Sequence, residues 1–217
     1  MEETSKSFDL IPWFRNNYLK VIITMLLIYL ILAFIAPVLM ATGNPLLAKA
    51  IYRGLSSLCH QFAHRSWFLF GEQAFYPLET RGNFLSVFDV FDVPPENPEL
   101  SREIIGNVQT GYKVAVCQRD VALYGALLFF AIIFIASKKS IKQISPGLWV
   151  LFAVMPIGID GLLQLASSYG LLPFMYESNP LLRSMTGALF GFFSGWILFP
   201  AIEKSLERER INNDPAS

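Results

Sequence analysis

The sequence predicts an all-α, polytopic transmembrane helix bundle: four spans, plus an amphipathic or re-entrant helix at about residues 45–70. Three observations carry that expectation. Hydrophobic residues make up 53% of the 217 and the mean hydropathy is positive, outside the usual range of a soluble chain. Phenylalanine alone occurs 19 times, as expected where rings meet lipid and its interfaces. Four runs stay apolar over the length needed to cross a hydrocarbon core of ~30 Å.

The first run, Val21–Ala41, carries no charge. It is too long for the apolar part of a signal peptide, and Leu39-Met40-Ala41 lacks the small residue expected upstream of a cleavage site, so it reads as an uncleaved span. Val121–Ser137 is the core of the second span, whose helix should begin a turn or so earlier. The spans are placed at about 21–41, 117–137, 147–170 and 185–202, one membrane domain over 21–202 between an N-terminal segment 1–20 and a tail 203–217. Lys6, Arg15 and Lys20 precede the first span, Lys138, Lys139 and Lys142 follow the second, and Lys204, Arg208 and Arg210 follow the last. The positive-inside rule then puts both termini on the cytoplasmic side of the cell membrane, with the loops after the first and third spans outside.

The long connection Thr42–Asp120 is not uniform. Leu47, Ile51, Leu55, Leu58 and Phe62 share one helical face, and Lys49, Arg53, Ser57, His60 and His64 share another. Such a helix either lies in the outer interface or re-enters the bundle with its polar stripe inward. Residues 71–112 read as an extramembrane loop, most plainly where Pro94, Pro95 and Pro98 interrupt any ladder.

Net charge is zero, which gives no reason to expect nucleic acid. Two cysteines cannot build a disulfide scaffold, and Cys59 and Cys117 are too far apart for a CxxC motif. The polar residues inside or beside the spans are more informative, because a charge in hydrocarbon costs at least ~2.5–3.5 kcal/mol and demands a partner, a wet cavity or a task. Asp160 and Gln164 share a helix face, four residues after Pro156 and among Gly158 and Gly161. That proline frees the carbonyl of Phe152 and favours a bend. Asp160 serves either a polar site or an ion pair holding the bundle, with Arg183 the expected partner. Gly187, Gly191 and Gly195 form a small-residue stripe suited to close helix packing.

Cys59, His60 and Cys117 are the soft-ligand candidates, with zinc or another transition metal the ion that accepts such a set. Three alternatives stand open for the cysteines: a disulfide across the outer loop, inert burial, and a metal site or reactive thiol. Arg119-Asp120 opens the second span; together with Arg53, Arg65 and Arg183 its guanidinium either grips a phosphate or carboxylate, or snorkels to the interface.

These residues form a pattern: Cys59-His60-Gln61, Arg65-Ser66 and Gly71; Cys117-Gln118-Arg119-Asp120 and Tyr124-Gly125; Met155-Pro156, Asp160-Gly161 and Gln164; Asn179, Arg183 and Thr186-Gly187. In that order they resemble the bacterial and archaeal membrane family DUF2085, from about Leu47 to Gly195. The resemblance implies that the residues singled out above belong to one recurring site, and it brings no activity with it. The stretch around Val93–Pro98 reads as an insertion relative to the family's compact form, and His64 lies outside its pattern.

The leading expectation is an integral membrane protein with a polar pocket opening to the outer face, a metal- or thiol-dependent enzyme on a lipid-linked or amphipathic anionic substrate. Its catalytic candidates are Asp160, His60 and Cys59, and its binding candidates Gln61, Arg65, Arg119, Gln164, Asn179 and Arg183. The alternatives are an accessory or assembly subunit of a membrane complex, or a small proton-coupled carrier using Asp160.

Overall fold

In a computed structural model, the protein is described over residues 10–80, 82–91, 93–94 and 97–213. What the sequence suggested for residues 1–9, for Pro95 and for 214–217 lies outside the described residues. Four helices are long and apolar enough to cross a membrane, at Trp13–Ala41, Gln118–Ala136, Pro146–Ser168 and Pro180–Glu209. They belong to α1 (Leu10–Ala41), α4 (Gln118–Ala136), a third unit built of α5 (Pro146–Trp149) and α6 (Met155–Ser168), and α7 (Pro180–Asn213). The protein is an integral membrane helix bundle. Ile28, Ile31, Phe129, Ile132, Ile159 and Leu162 are all exposed on these helices, an apolar surface that water would oppose and lipid accepts.

Between α5 and α6 the chain makes one π-helical turn, Val150–Val154. Pro156 follows directly; lacking an N–H, it cannot close the α-helical bond to the carbonyl of Phe152, and a wider turn is a common answer to that deficit. α4 and α7 form the most extensive helix pair. The glycine stripe explains it: a Cβ on Gly191 would lie 2.0 Å from the carbonyl oxygen of Leu123, and one on Gly187 would lie 2.5 Å from that of Arg119. Only hydrogen fits there, so the two backbones meet closely. Tyr18, Leu19, Phe130, Ala131, Phe134 and Phe199 fill the core shared by α1, α4 and α7.

The connection after α1 departs from the expected all-α picture. α2 (Pro45–Leu55) starts on a proline and buries Ala48, Tyr52 and Leu55. The helix stops there, so Leu58, His60, Phe62 and His64 do not continue its two faces. A 3₁₀ turn at Ala63–Arg65 leads instead into β1 (Ser66–Leu69). A short α3 (Val87–Val90), capped reciprocally by Ser86 and Asp89, precedes β2 (Gly106–Asn107) and β3 (Gly111–Cys117). The three strands form an antiparallel sheet in the order β1-β3-β2, with Ser66 opposite Cys117 and Phe68 opposite Lys113. At the β2–β3 turn, Asn107 Oδ1 accepts from the N–H groups of Gln109 and Thr110, both at 2.9 Å, and Gly111 takes a left-handed φ of 75°. The sheet packs on α1 and α2 through Ala33, Ala36, Tyr52, Val114 and Val116.

Two ends of the bundle are chemically distinct. The described residues between 42 and 117, with the 169–179 loop, cap one end, joined by Arg65 and Glu177. The opposite end holds Lys139 paired with Glu203 at 2.8 Å and Arg15 with Glu209 at 3.5 Å.

Candidate functional site

The chain delivers polar groups to the capped end from four directions. β3 runs without a break into α4, so Cys117 is both the last strand residue and the N-cap of the span; its sulfur accepts the Asp120 N–H at 3.4 Å. Cys59 sits one turn beyond α2, and its sulfur accepts the Cys117 N–H at 3.3 Å. The two sulfurs and a carboxylate oxygen of Asp120 all lie within 4.8 Å of one another. Burial and the neighbouring sulfur act on both thiols: a hydrogen bond with Cys117, then desolvation, pushes Cys59 up. The same bond holds Cys117 below the ordinary thiol range.

The segment between them is fixed from underneath. Lys113 is buried in β3, and its Nζ donates to the carbonyls of Gln61 and Arg102, each at 2.6 Å; burial lowers its pKa to about 7. Gln61 takes a left-handed φ of 57° and donates from Nε2 to the carbonyl of Tyr52 at 2.9 Å. A non-glycine residue held there stores backbone strain of order ~1–3 kcal/mol. The loop is thus pinned where it carries Cys59 and His60 to the cavity.

Three arginines are bound by carboxylates, though not as expected from sequence. Asp160, 3% exposed, pairs with Arg119 and not with Arg183, and its other oxygen accepts the Tyr176 hydroxyl at 2.8 Å. Arg183 pairs with Glu177. Arg65 grips the same carboxylate with two parallel bonds, both 3.0 Å, the bidentate geometry that guanidinium favours. The correction has a geometric cause: Gly187 presses α7 against the carbonyl of Arg119, so the two arginines stand side by side and each takes its own acid. Gln164 lies between them. With its oxygen turned to Arg119 the separation is 3.4 Å; turned the other way it accepts from Arg183 at 2.6 Å and from the Ser178 N–H at 3.2 Å, which is the better arrangement.

A cavity of about 230 Å³ joins these parts, lined among others by Cys59, His60, Gln61, Arg65, Cys117, Arg119, Asp120, Gln164 and Arg183. His60 is exposed and stacks on Phe62 with ring centres 5.6 Å apart, so it borders the cavity without joining the sulfur–carboxylate group. Asn179 is not on this wall. Its Oδ1 accepts the Leu182 N–H at 2.8 Å and so opens α7, and it lines a neighbouring cavity of about 220 Å³ with His64, Glu177 and Ser178. Arg183 is 2% exposed, yet among the described residues its Nε and Nη1 have no hydrogen-bond partner, nor does Nε of Arg119. Buried donors of this kind are rare and call for an acceptor.

Glu177, Tyr176 and Lys113 escape a reading of the sequence. Glu177 sits in a short connection between two spans, where an acidic residue is unremarkable. Lys113 is disguised by its place in a strand. His64 is a further surprise: it is buried, with Nδ1 3.1 Å from Ser101 Oγ and Nε2 3.8 Å from Glu177. Burial lowers it to about 3, with Arg65, Arg183 and Lys113 adding to the shift and Glu177 opposing it, so the Glu177 contact is not an ion pair at neutral pH. Burial raises Glu177 itself, but Arg183 and Arg65 outweigh that and hold it below the usual carboxylate range. Both groups act in one direction. Between the ordinary histidine value of 6.5 and about 3 the unfolded chain binds a proton that folded His64 refuses, so stability falls as pH falls. Glu177 adds to the loss at lower pH, as its carboxylate is protonated. The melting temperature in detergent is expected to drop between pH 6.5 and 4.5, and His64→Gln should flatten that slope; an unchanged slope in the variant would refute the assignment.

A comparison with known families matches residues 107–197 to the model of DUF2085, described as a predicted membrane protein. The motifs from Cys117 to Arg183 fall within that match, so the family resemblance holds there. An uncharacterized protein of Methanocaldococcus jannaschii is 26% identical over 192 residues, covering 86% of this chain and 92% of its own length. No solved structure matches.

Proposed function

We propose that this integral membrane protein acts on the anionic head of an amphipathic or lipid-linked substrate, from a pocket at the outer boundary of the bilayer. The observation that carries the reading is Arg183: a guanidinium only 2% exposed that lines the cavity together with Arg65 and Arg119. Arg65 and Arg183 share one carboxylate, Glu177, which leaves one positive charge in excess and favours an anion. The two thiols and Asp120 on the same cavity supply the reactive centre, and Gln61 and Gln164 supply polar edges. His60 stands at the margin as a proton donor or acceptor.

Orientation follows from charge. Lys20, Lys138, Lys139, Lys142, Lys204 and Arg208 collect toward the end opposite the cavity, which the positive-inside rule assigns to the cytoplasm, both termini included. The membrane domain then spans the four helices, with the cap as its outer face. A carrier built on Asp160 would need carboxylate oxygens open to its cargo, and Arg119 and Tyr176 occupy both of them.

The reading is tested by melting the detergent-solubilised protein with phosphatidylglycerol and with phosphatidylcholine. Anionic lipid near 100 times its Kd should stabilise by about 2.7 kcal/mol, the zwitterionic lipid should not, and Arg65→Gln should remove most of the difference. Equal stabilisation by both lipids would overturn it.

A further inference from the structure

We propose that Cys59, Cys117 and Asp120 form a transition-metal site of the zinc class whose fourth position opens to the arginine-lined cavity. The donor set differs from the one the sequence suggested, since Asp120 takes the place that His60 would have filled. Four observations on the molecule support it. The three donor atoms already lie within 4.8 Å of one another; tetrahedral zinc with sulfur bonds of ~2.3 Å needs sulfurs about 3.8 Å apart, so only small side-chain rotations separate this arrangement from a ligated one. Each sulfur accepts a backbone N–H, from Cys117 and from Asp120, which fixes both side chains at the same corner of the cavity.

Charge gives the third argument. Among the described residues no salt bridge reaches Asp120, while Arg119 is taken by Asp160 and both Arg65 and Arg183 by Glu177. Two thiolates and a carboxylate would bring three negative charges to a bound ion, and a divalent cation reduces that to −1. The single excess positive charge of the Arg65–Glu177–Arg183 group faces that remainder. Finally, all three ligand residues line the cavity together with Gln164 and Arg183. Three protein ligands and one position open to a pocket is the pattern of catalytic zinc rather than structural zinc. A ligand oxygen bound there would share the cavity with Arg65, Arg119 and Arg183, and only this last step rests on the proposed anion pocket.

The test uses the full chain, purified in detergent under reducing conditions without chelator. Elemental analysis should find about one zinc per chain, falling at least tenfold in Cys59→Ser and in Cys117→Ser, reduced in Asp120→Asn, and unchanged in His60→Ala. Cobalt added to chelator-stripped wild-type protein should produce a thiolate-to-cobalt charge-transfer band, a readout that survives if a variant fails to fold. A stripped wild type that shows no such band, or metal retained in full by both cysteine variants, would overturn the site. A disulfide between the cysteines in protein purified without reductant, reformed after reduction in the presence of zinc, would overturn it as well. If zinc binds as stated but anionic lipid gives no stabilisation, the anion pocket fails and the metal site stands.

Discussion

Glu177→Gln is expected to destabilise the protein by about 3–5 kcal/mol, the typical cost of removing one partner from a buried ion pair. Arg183 is the reason. Its side chain is 2% exposed and that of Glu177 15% exposed, so the guanidinium cannot recover water when its carboxylate goes. Gln keeps the shape and one acceptor but not the charge, and Arg65 loses its bidentate partner in the same step. The variant should therefore melt far below wild type in detergent. The double change Glu177→Gln with Arg183→Met should recover much of the loss, because it no longer leaves a buried charge unpaired. A single variant within about 1 kcal/mol of wild type would mean that solvent already reaches Arg183, and its guanidinium would not be a buried charge.

What could be read from sequence follows from which forces are local. The four spans were legible because the bilayer imposes length and polarity on contiguous residues, and Val21–Ala41 or Val121–Ala136 satisfies both without help from the rest of the chain. The halt of α2 at Leu55 was not legible. Leu58 and Phe62 keep the helical spacing, and no glycine or proline intervenes before them. What draws the chain out of the helix is distant in sequence: Lys113 binds the Gln61 carbonyl, and the Cys117 N–H binds the Cys59 sulfur. β3 was hidden for a related reason. It is buried on both faces and merges into α4, so the alternation of an exposed strand is absent and its apolar residues read as an approach to the span.

The site divides in the same way. Asp160, Gln164, Arg119 and Arg183 announce themselves as polar residues in or beside spans, and the structure gathers them at one end. Their pairing was not legible, since three arginines compete for the acids and the neighbours are set by tertiary packing, of which the close approach of Gly187 to the Arg119 carbonyl is one part. The cysteines converge although 58 residues separate them, because Ser66 and Cys117 face each other across β1 and β3. His60 lies next to Cys59 in sequence yet falls outside the sulfur group, since the left-handed residue Gln61 turns the chain immediately after it.

Asp160→Asn is expected to have the second large effect, about 3 kcal/mol, and it separates two roles that an intramembrane acid could play. Asp160 is almost fully buried, whereas the Arg119 side chain is 22% exposed, so some of the orphaned charge can reach water and the loss should be smaller than at Glu177. Tyr176 can still donate to the amide oxygen of Asn, which further limits the damage. If Asp160 holds Arg119 in place, the two positions must be coupled: Asp160→Asn, Arg119→Met and the double variant should form a cycle with an interaction energy above about 1 kcal/mol. The single Asn variant should also weaken the stabilisation by anionic lipid, because Arg119, which lines the cavity, then loses the carboxylate that holds it. A proton carrier predicts the opposite pattern, a neutral Asn that preserves both fold and lipid binding and removes only flux. Additive stabilities with lipid binding intact would therefore overturn the positioning role and return Asp160 to the carrier.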